Sequence, residues 1–147
     1  TPPVNGDPFQ ILQVLENLIY NAIRYIGFAG EEIARGKNPG RVAVKIYGKG
    51  NFVFCEVSDN GIGIPKEDQK YIFQKFFRAD NVRRYQTGGS GLGLYIAKNI
   101  IDSSGGKIGF SSRQGQGTTF WFKLPAAGNG KNYSPKANAP MAQKLKK

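Results

Sequence analysis

Val53-Phe54-Cys55-Glu56-Val57-Ser58-Asp59-Asn60-Gly61-Ile62-Gly63-Ile64 changes character in its middle. Val53, Cys55 and Val57 recur with the two-residue period of a strand that buries one face. The alternation stops at Asp59, and two glycines follow within four residues. A carboxylate at such a strand end can accept a hydrogen bond from an exocyclic amine such as adenine's. Gly61 and Gly63 would let a flat ring approach the backbone. Taken alone, Asp-Asn-Gly is also an ordinary turn signature.

Just upstream, Val42, Val44 and Ile46 alternate in the same way, and Gly48-Lys49-Gly50-Asn51 between the two runs predicts a hairpin turn. Further back, Asp7-Pro8-Phe9-Gln10 reads as a helix start, with Asp at the N-cap and Pro at the first helical position. The helix is predicted to run to about Ile26 and end at Gly27. Leu12, Leu15, Ile19, Ala22, Ile23 and Ile26 have helical spacing and are expected to face the core. Asn17, Asn21, Arg24 and Tyr25 share a different face. An asparagine carbonyl is a neutral oxygen ligand. Two on one helix face could hold Mg²⁺ and phosphate together, because Mg²⁺ wants oxygen ligands and keeps waters when shared with a nucleotide. Surface or capping asparagines are the plain alternative. Residues 27 to 40 are Gly-rich and charged, a loop or a short helix around Glu31 to Arg35.

Downstream, Pro65 is expected to start a short helix carrying Tyr71, Ile72, Phe73, Phe76 and Phe77. Residues 78 to 90 are polar, basic and Gly-ended, the composition of a mobile loop. Gly89-Ser90-Gly91-Leu92-Gly93-Leu94 then opens a helix predicted over 91 to 103, with Leu94, Ala97, Ile100 and Ile101 buried and Ser104-Gly105-Gly106 ending it. Glycines at a helix start offer unhindered N–H groups and the positive helix end to an anion. The spacing is neither the dinucleotide fingerprint nor a P-loop, since no Gly-Lys is followed by Ser or Thr. A hinge for the preceding loop is a compatible reading. Ile108 to Ser112 and Thr118 to Leu124 form a closing hairpin around Gln114-Gly115-Gln116-Gly117.

The 147 residues suit one domain with a real core. Of the net charge of +11, residues 1 to 125 carry 16 basic against 10 acidic side chains, and residues 126 to 147 carry five lysines and no acid. That tail has too little apolar area to offset chain entropy and is expected to be disordered. A polyphosphate ligand, a nucleic acid or a merely solvated basic surface could each explain the charge. The phenylalanines cluster in an apolar box rather than among basic residues, which argues against nucleic acid. The single cysteine, Cys55, permits no intrachain disulfide and reads as a small buried hydrophobe. With no histidine, the chain has neither a His-based triad nor a histidine phosphoacceptor of its own. No apolar run approaches the roughly 18 residues of a membrane span, and no signal peptide is visible. The chain reads as a soluble piece, open to having been cut from something larger.

The combination resembles the catalytic and ATP-binding domain of sensor histidine kinases, within the GHKL (gyrase, chaperone, histidine kinase, mismatch repair) ATPase superfamily. The resemblance covers about residues 7 to 125. Glu16 through Tyr25 is similar to the family's N box, and Asp59 through Ile64 to its first glycine box. Ile72-Phe73-Gln74-Lys75-Phe76-Phe77-Arg78 is similar to the phenylalanine box. Gly89 through Leu94 resembles the second glycine box, and Gly115-Gln116-Gly117-Thr118-Thr119-Phe120 the closing Gly-Thr element. Against the family pattern, residues 27 to 40 are longer than usual and Ile26 replaces a small hydroxyl residue; the resemblance implies a first strand before the helix that is expected to be truncated at Thr1.

The resemblance implies a two-layer α/β sandwich of the GHKL type: a mixed, mostly antiparallel sheet with helices on one face and ATP on the helix side. It implies residues 1 to 125 as the ATP-binding domain and 126 to 147 as the tail. Asn17 would ligate Mg²⁺, with Asn21 at the metal and phosphates, and Arg24 would contact phosphate. Tyr25 would pack on adenine, and Asp59 would accept from its amine beside Gly61, Gly63 and Ile64. Arg78 would reach the terminal phosphate. Gly89, Ser90, Gly91, Leu92, Gly93 and Leu94, with the loop before them, would form the ATP lid, and Thr118 would complete the adenine-side network. The hydrolytic branches and the serine-kinase branch carry a Glu four residues before the second asparagine, where this chain has Asn17. That difference favours transfer to a protein histidine over hydrolysis. The implied partners are a histidine-bearing dimerisation domain of the same kinase and a response regulator receiver domain, in a cytoplasmic homodimer that is or is not membrane-anchored. A non-catalytic nucleotide-binding module is the alternative.

Overall fold

The computed structural model describes residues 1–28, 39–78 and 91–128. The segment expected as a loop or short helix around 31–35, the 79–90 stretch with Arg83, Arg84, Gly89 and Ser90, and the tail from 129 lie outside the described residues. Helix α1 spans Pro8–Phe28, strands β1 and β2 span Val42–Lys49 and Phe52–Asp59, helix α2 spans Gly93–Ser103, and strands β3 and β4 span Lys107–Arg113 and Gly117–Pro125. Among the described residues these four strands form one sheet in the order β1-β2-β4-β3, with each pairing antiparallel. A bridge from Val4 to Ala126 ties the chain start to the far end of β4.

The helix start at Asp7 is built as its residue types require: the Asp7 carboxylate accepts from the Phe9 N–H at 2.9 Å, and Ile11 N–H reaches the Asp7 carbonyl at 3.0 Å. Both hairpins form, with the first turn tightened to Gly50-Asn51 because the strands run further toward it than the apolar pattern alone indicated. Helix α2 ends in a left-handed Gly105 (φ 74), whose N–H bonds to the Asp102 carbonyl while Gly106 N–H reaches back to Ile101. That pair of bonds satisfies carbonyls the helix end leaves open.

The core lies between the two helices and one face of the sheet. Val14, Leu18 and Ala22 of α1 and Ala97, Ile100 and Ile101 of α2 are buried with Cys55, Val57, Ile108, Phe120, Phe122 and Leu124. Each large apolar side chain among them contributes about 1.5 to 3 kcal/mol through burial. Cys55 is buried as expected, and its thiol is pushed up to about 11, chiefly by desolvation. The buried stripe of α1 differs from the expected one. Ala22 belongs to it, and Leu15 and Ile19 are packed against it, but Leu12 and Ile23 are 51% and 56% exposed. Apolar residues occupy more than half the circumference of this helix, so spacing alone could not select the inward face.

The helix expected after Pro65 is also corrected. Only Gln69–Tyr71 forms a 3₁₀ turn. The segment is a chain of three-residue turns, with Tyr71 N–H on Asp68, Gln74 on Tyr71 and Phe77 on Gln74. Phe76 ends the series with φ 65, a left-handed backbone that a bulky residue rarely adopts. Ile72 is buried, whereas Phe76 is 63% exposed. No helix among the described residues is long and apolar enough to cross a membrane.

Candidate functional site

The apolar face of the sheet turns polar at one end of its strands. Asp59 lies directly opposite Thr118, and Thr118 opposite Ser112, so three polar side chains form a row across β2, β4 and β3. Residues directly opposite share a face, and the rows behind this one are Val57, Phe120, Phe110 and then Cys55, Phe122, Ile108. The polar row therefore borders the core.

The Asp59 carboxylate accepts from the Gly61 N–H at 2.9 Å and from the Thr118 backbone N–H. Burial nevertheless wins over those two bonds and pushes its carboxyl up to about 6. An acid held this way lacks a partner strong enough to keep it fully ionised, and a further donor would lower its pKa. The turn after it docks onto the end of α1: Ile62 N–H reaches the Tyr25 carbonyl at 3.4 Å. A Cβ at Gly61 would stand 2.6 Å from the Tyr25 carbonyl carbon, so only glycine permits this approach. Tyr25 is brought beside the same carboxylate. Burial raises its phenol, Arg24 opposes that rise, Asp59 adds to it, and Arg78 opposes it. One electrostatic neighbourhood thus holds Arg24, Tyr25, Asp59 and Arg78. The Arg24 guanidinium also lies over the Tyr20 ring at 5.6 Å.

The second contact joins α1 to the start of α2. Asn17 donates its amide N–H to the Gly93 carbonyl at 3.3 Å, which sets the amide's orientation with Oδ1 as the acceptor atom. Among the described residues, the N-cap residue of α2, Leu92, makes no side-chain capping bond. The helix's first-turn N–H groups are the donors an anion would use. Gly91 (φ 64) is hooked to the phenylalanine segment: Phe76 N–H donates to the Gly91 carbonyl at 3.0 Å, and a Cβ at Gly91 would meet the Phe76 backbone at 2.8 Å. The N-box asparagine, Gly91, Leu92, Gly93 and Leu94 thus meet at one end of the helix pair. Asn21 sits half-buried one turn beyond Asn17. Among the described residues no three His, Cys, Asp or Glu side chains cluster as a metal cage. The donors present suit a cation that completes its shell with phosphate oxygens and water.

Two polar residues that the sequence reading did not single out as site residues complete this polar row's surroundings. Ser112 Oγ accepts from the Ile64 N–H at 2.8 Å, and Gln69 Nε2 donates to both the Ile64 and Ser112 carbonyls at 3.1 Å. They staple the Gly61–Ile64 turn to β3. Counting outward from a Gln114–Gly117 turn would have paired Ser112 with Thr119; the strands instead close on 114–116, with Arg113 opposite Gly117 and Ser112 opposite Thr118, and nothing local marks Gln69.

The family model described as "Histidine kinase-, DNA gyrase B-, and HSP90-like ATPase" matches residues 6–128. The chain belongs to this family. Similar curated members include the sensor histidine kinase WalK of Bacillus subtilis (strain 168), 38% identical over 122 residues, and the sensor protein GacS of Pseudomonas syringae pv. syringae, 38% identical over 133 residues. These alignments cover 83% and 89% of the chain but 19% and 14% of those proteins, so the chain spans less than a fifth of either relative. Among solved structures, the mycobacterial sensor histidine kinase MprB superposes with a TM-score of 0.68 at 29% identity, over 84% of this chain and 76% of that one. The catalytic domain of histidine kinase ThkA gives 0.64 at 33%, over 84% and 70%. Full-length ShkA in complex with AMPPNP gives 0.66 at 28%, over 86% and 23%. The histidine kinase-like ATPase fold, a sheet with its helices on one face, agrees with the architecture inferred from the boxes.

Proposed function

We propose that residues 1 to 125 bind Mg-ATP and deliver its γ-phosphoryl group to a histidine on a separate dimerisation domain of the same kinase, from which a response regulator receiver domain takes it. The observation that carries this reading is the convergence of the Asp59–Thr118 pair and the Asn17–Gly93 contact on the helix side of one sheet. The first offers acceptors to adenine's amine. The second sets an amide oxygen beside the N-terminus of α2, where phosphates would lie. Asp59, with Gly61, Gly63, Ile64, Tyr25 and Thr118, reads the base. Asn17 and Asn21 hold the metal and phosphates with Arg24, Arg78 and the glycine box from Gly89 and Ser90 to Leu94. When bound, Mg²⁺ supplies charge neutralisation between the phosphate oxygens, and Asn17 Oδ1 would be its ligand from this chain. Catalysis by such a site is positioning and electrostatics. An amide at position 17 cannot take a proton from water, so water is a poor acceptor here.

The full-length protein is read as a cytoplasmic-facing homodimer, and nucleic acid is not among its partners. Labelled ATP incubated with this domain and a histidine-bearing dimerisation domain, followed by acid treatment, tests the reading. The expected product is an acid-labile label on the partner, with no label on this chain alone. A pure binding module would give no phosphoprotein in any pairing. Brisk hydrolysis by this chain alone would place it with the hydrolytic branches.

A further inference from the structure

Ser112 occupies a position from which it controls the polarity of Thr118. A serine hydroxyl has one proton to give and two lone pairs to receive. Ser112 Oγ receives the Ile64 N–H at 2.8 Å, lies 3.1 Å from the Gly117 carbonyl oxygen, and lies 2.7 Å from Thr118 Oγ1. A carbonyl oxygen only accepts, so the Gly117 contact is a hydrogen bond only when Ser112 supplies the proton. That uses the one proton Ser112 has. The 2.7 Å bond must then be donated by Thr118, whose remaining capacity is as an acceptor. Thr118 is 2% exposed and stands directly opposite Asp59 on the same face of the sheet.

We propose that Ser112 is the positioning residue that makes Thr118 an acceptor beside the Asp59 carboxylate, and so sets the preference of the site for a base bearing an exocyclic amine over one bearing a carbonyl. This rests on the assignment of Asp59 and Thr118 to the base pocket. Two acceptors side by side match the two N–H bonds of an amine, directly or through one water. They oppose a carbonyl at the same place. Gln69 bridges the Ile64 and Ser112 carbonyls and so ties the turn to β3, with no bond to the Ser112 or Thr118 hydroxyl.

Calorimetric affinities for ATP and GTP, taken as a ratio, test the proposal. Ser112→Ala lets the Thr118 hydroxyl turn and donate, so the ATP-to-GTP ratio should fall about tenfold, the equivalent of one neutral hydrogen bond changing sign. Ser112→Thr, which keeps the hydroxyl, should restore the ratio. Gln69→Leu loosens the turn without touching the Ser112 proton and should weaken both nucleotides while leaving the ratio unchanged. Ser112→Cys, close in volume and a weak hydrogen-bonder, gives the same reading where the alanine variant does not fold. A ratio that stays at the wild-type value in both Ser112→Ala and Ser112→Cys overturns the role of Ser112. A wild-type domain with no preference for ATP over GTP overturns the base-pocket assignment itself, so the two failures are told apart.

Discussion

Asp59→Asn keeps the size of the side chain and changes what it can offer a ligand. In the wild type the carboxylate receives the Gly61 and Thr118 N–H groups and still has lone pairs for a third donor. Asparagine has one oxygen, which those two N–H groups will claim, so its NH₂ is left facing the ligand. A donor then meets the amine of adenine. The lost interaction is a hydrogen bond to a charged group, worth about 1.5 to 3 kcal/mol, so ATP affinity should fall roughly 10- to 100-fold. The wild-type acid adds a pH signature. Its carboxyl stands at about 6 against 3.8 for an ordinary aspartate. Because the folded state holds the proton more tightly than the unfolded chain, this group's contribution to stability falls as pH rises from about 4 to about 6 and is constant above. Binding runs the other way, since an amine donor favours the ionised form. Affinity should be flat above about pH 7, about twofold weaker at pH 6 and about tenfold weaker by pH 5. Adenosine is the right probe, because it has no phosphate to titrate in this range. An NMR titration of the wild type and Asp59→Asn from pH 5 to 8 gives both results. Adenosine affinity independent of pH in the wild type, or within twofold of wild type in the variant, would refute the reasoning.

Asn17→Ala should remove most of the Mg²⁺ dependence of ATP affinity while leaving adenosine binding unchanged; calorimetry with and without the metal reads both, and an intact Mg²⁺ dependence rules out the ligand role. Phe120→Ala, deep in the core beside Phe73 and Phe110, should cost about 3 to 5 kcal/mol of stability, measured by urea unfolding.

The elements legible in the sequence are those whose signal is local. The hairpins follow from two-residue alternation interrupted by glycine, and α1 begins where Asp7-Pro8 says it should. Alternation also buried Cys55 and Val57 correctly. The face of α1 was not legible, because Phe9, Leu12, Leu15, Ile19, Tyr20, Ile23 and Ile26 offer a second apolar stripe beside Val14, Leu18 and Ala22. The choice is made by partners far along the chain: the core shared with α2 and the sheet takes up Val14 and Leu18, and the Asn17 amide is bound to the Gly93 carbonyl. The 65–77 segment misled for a related reason. Its aromatic residues are spaced for a helix, but Phe76 is held left-handed by its bond to Gly91, a contact between residues fifteen apart. Within the site, Asp59 and Thr118 could be named from their motifs. Ser112 and Gln69 could not, since their importance lies in which groups the closed fold leaves opposite them.

The chemistry at position 17 links this packing to the proposed acceptor. A glutamate there would bring a base and a charge, and near a polyphosphate the charge repels the ligand unless the metal offsets it. An amide brings neither. Its N–H is used structurally, on Gly93, and its oxygen is aimed by that same bond. The one side chain therefore joins α1 to the start of α2 and keeps a neutral oxygen, with no capacity to act as a base toward water. Under the proposed function, such a site would stabilise a phosphoryl group in transit, and the incoming nucleophile would have to need no base from position 17. A histidine imidazole, nucleophilic in its neutral form near pH 7, meets that requirement where water does not.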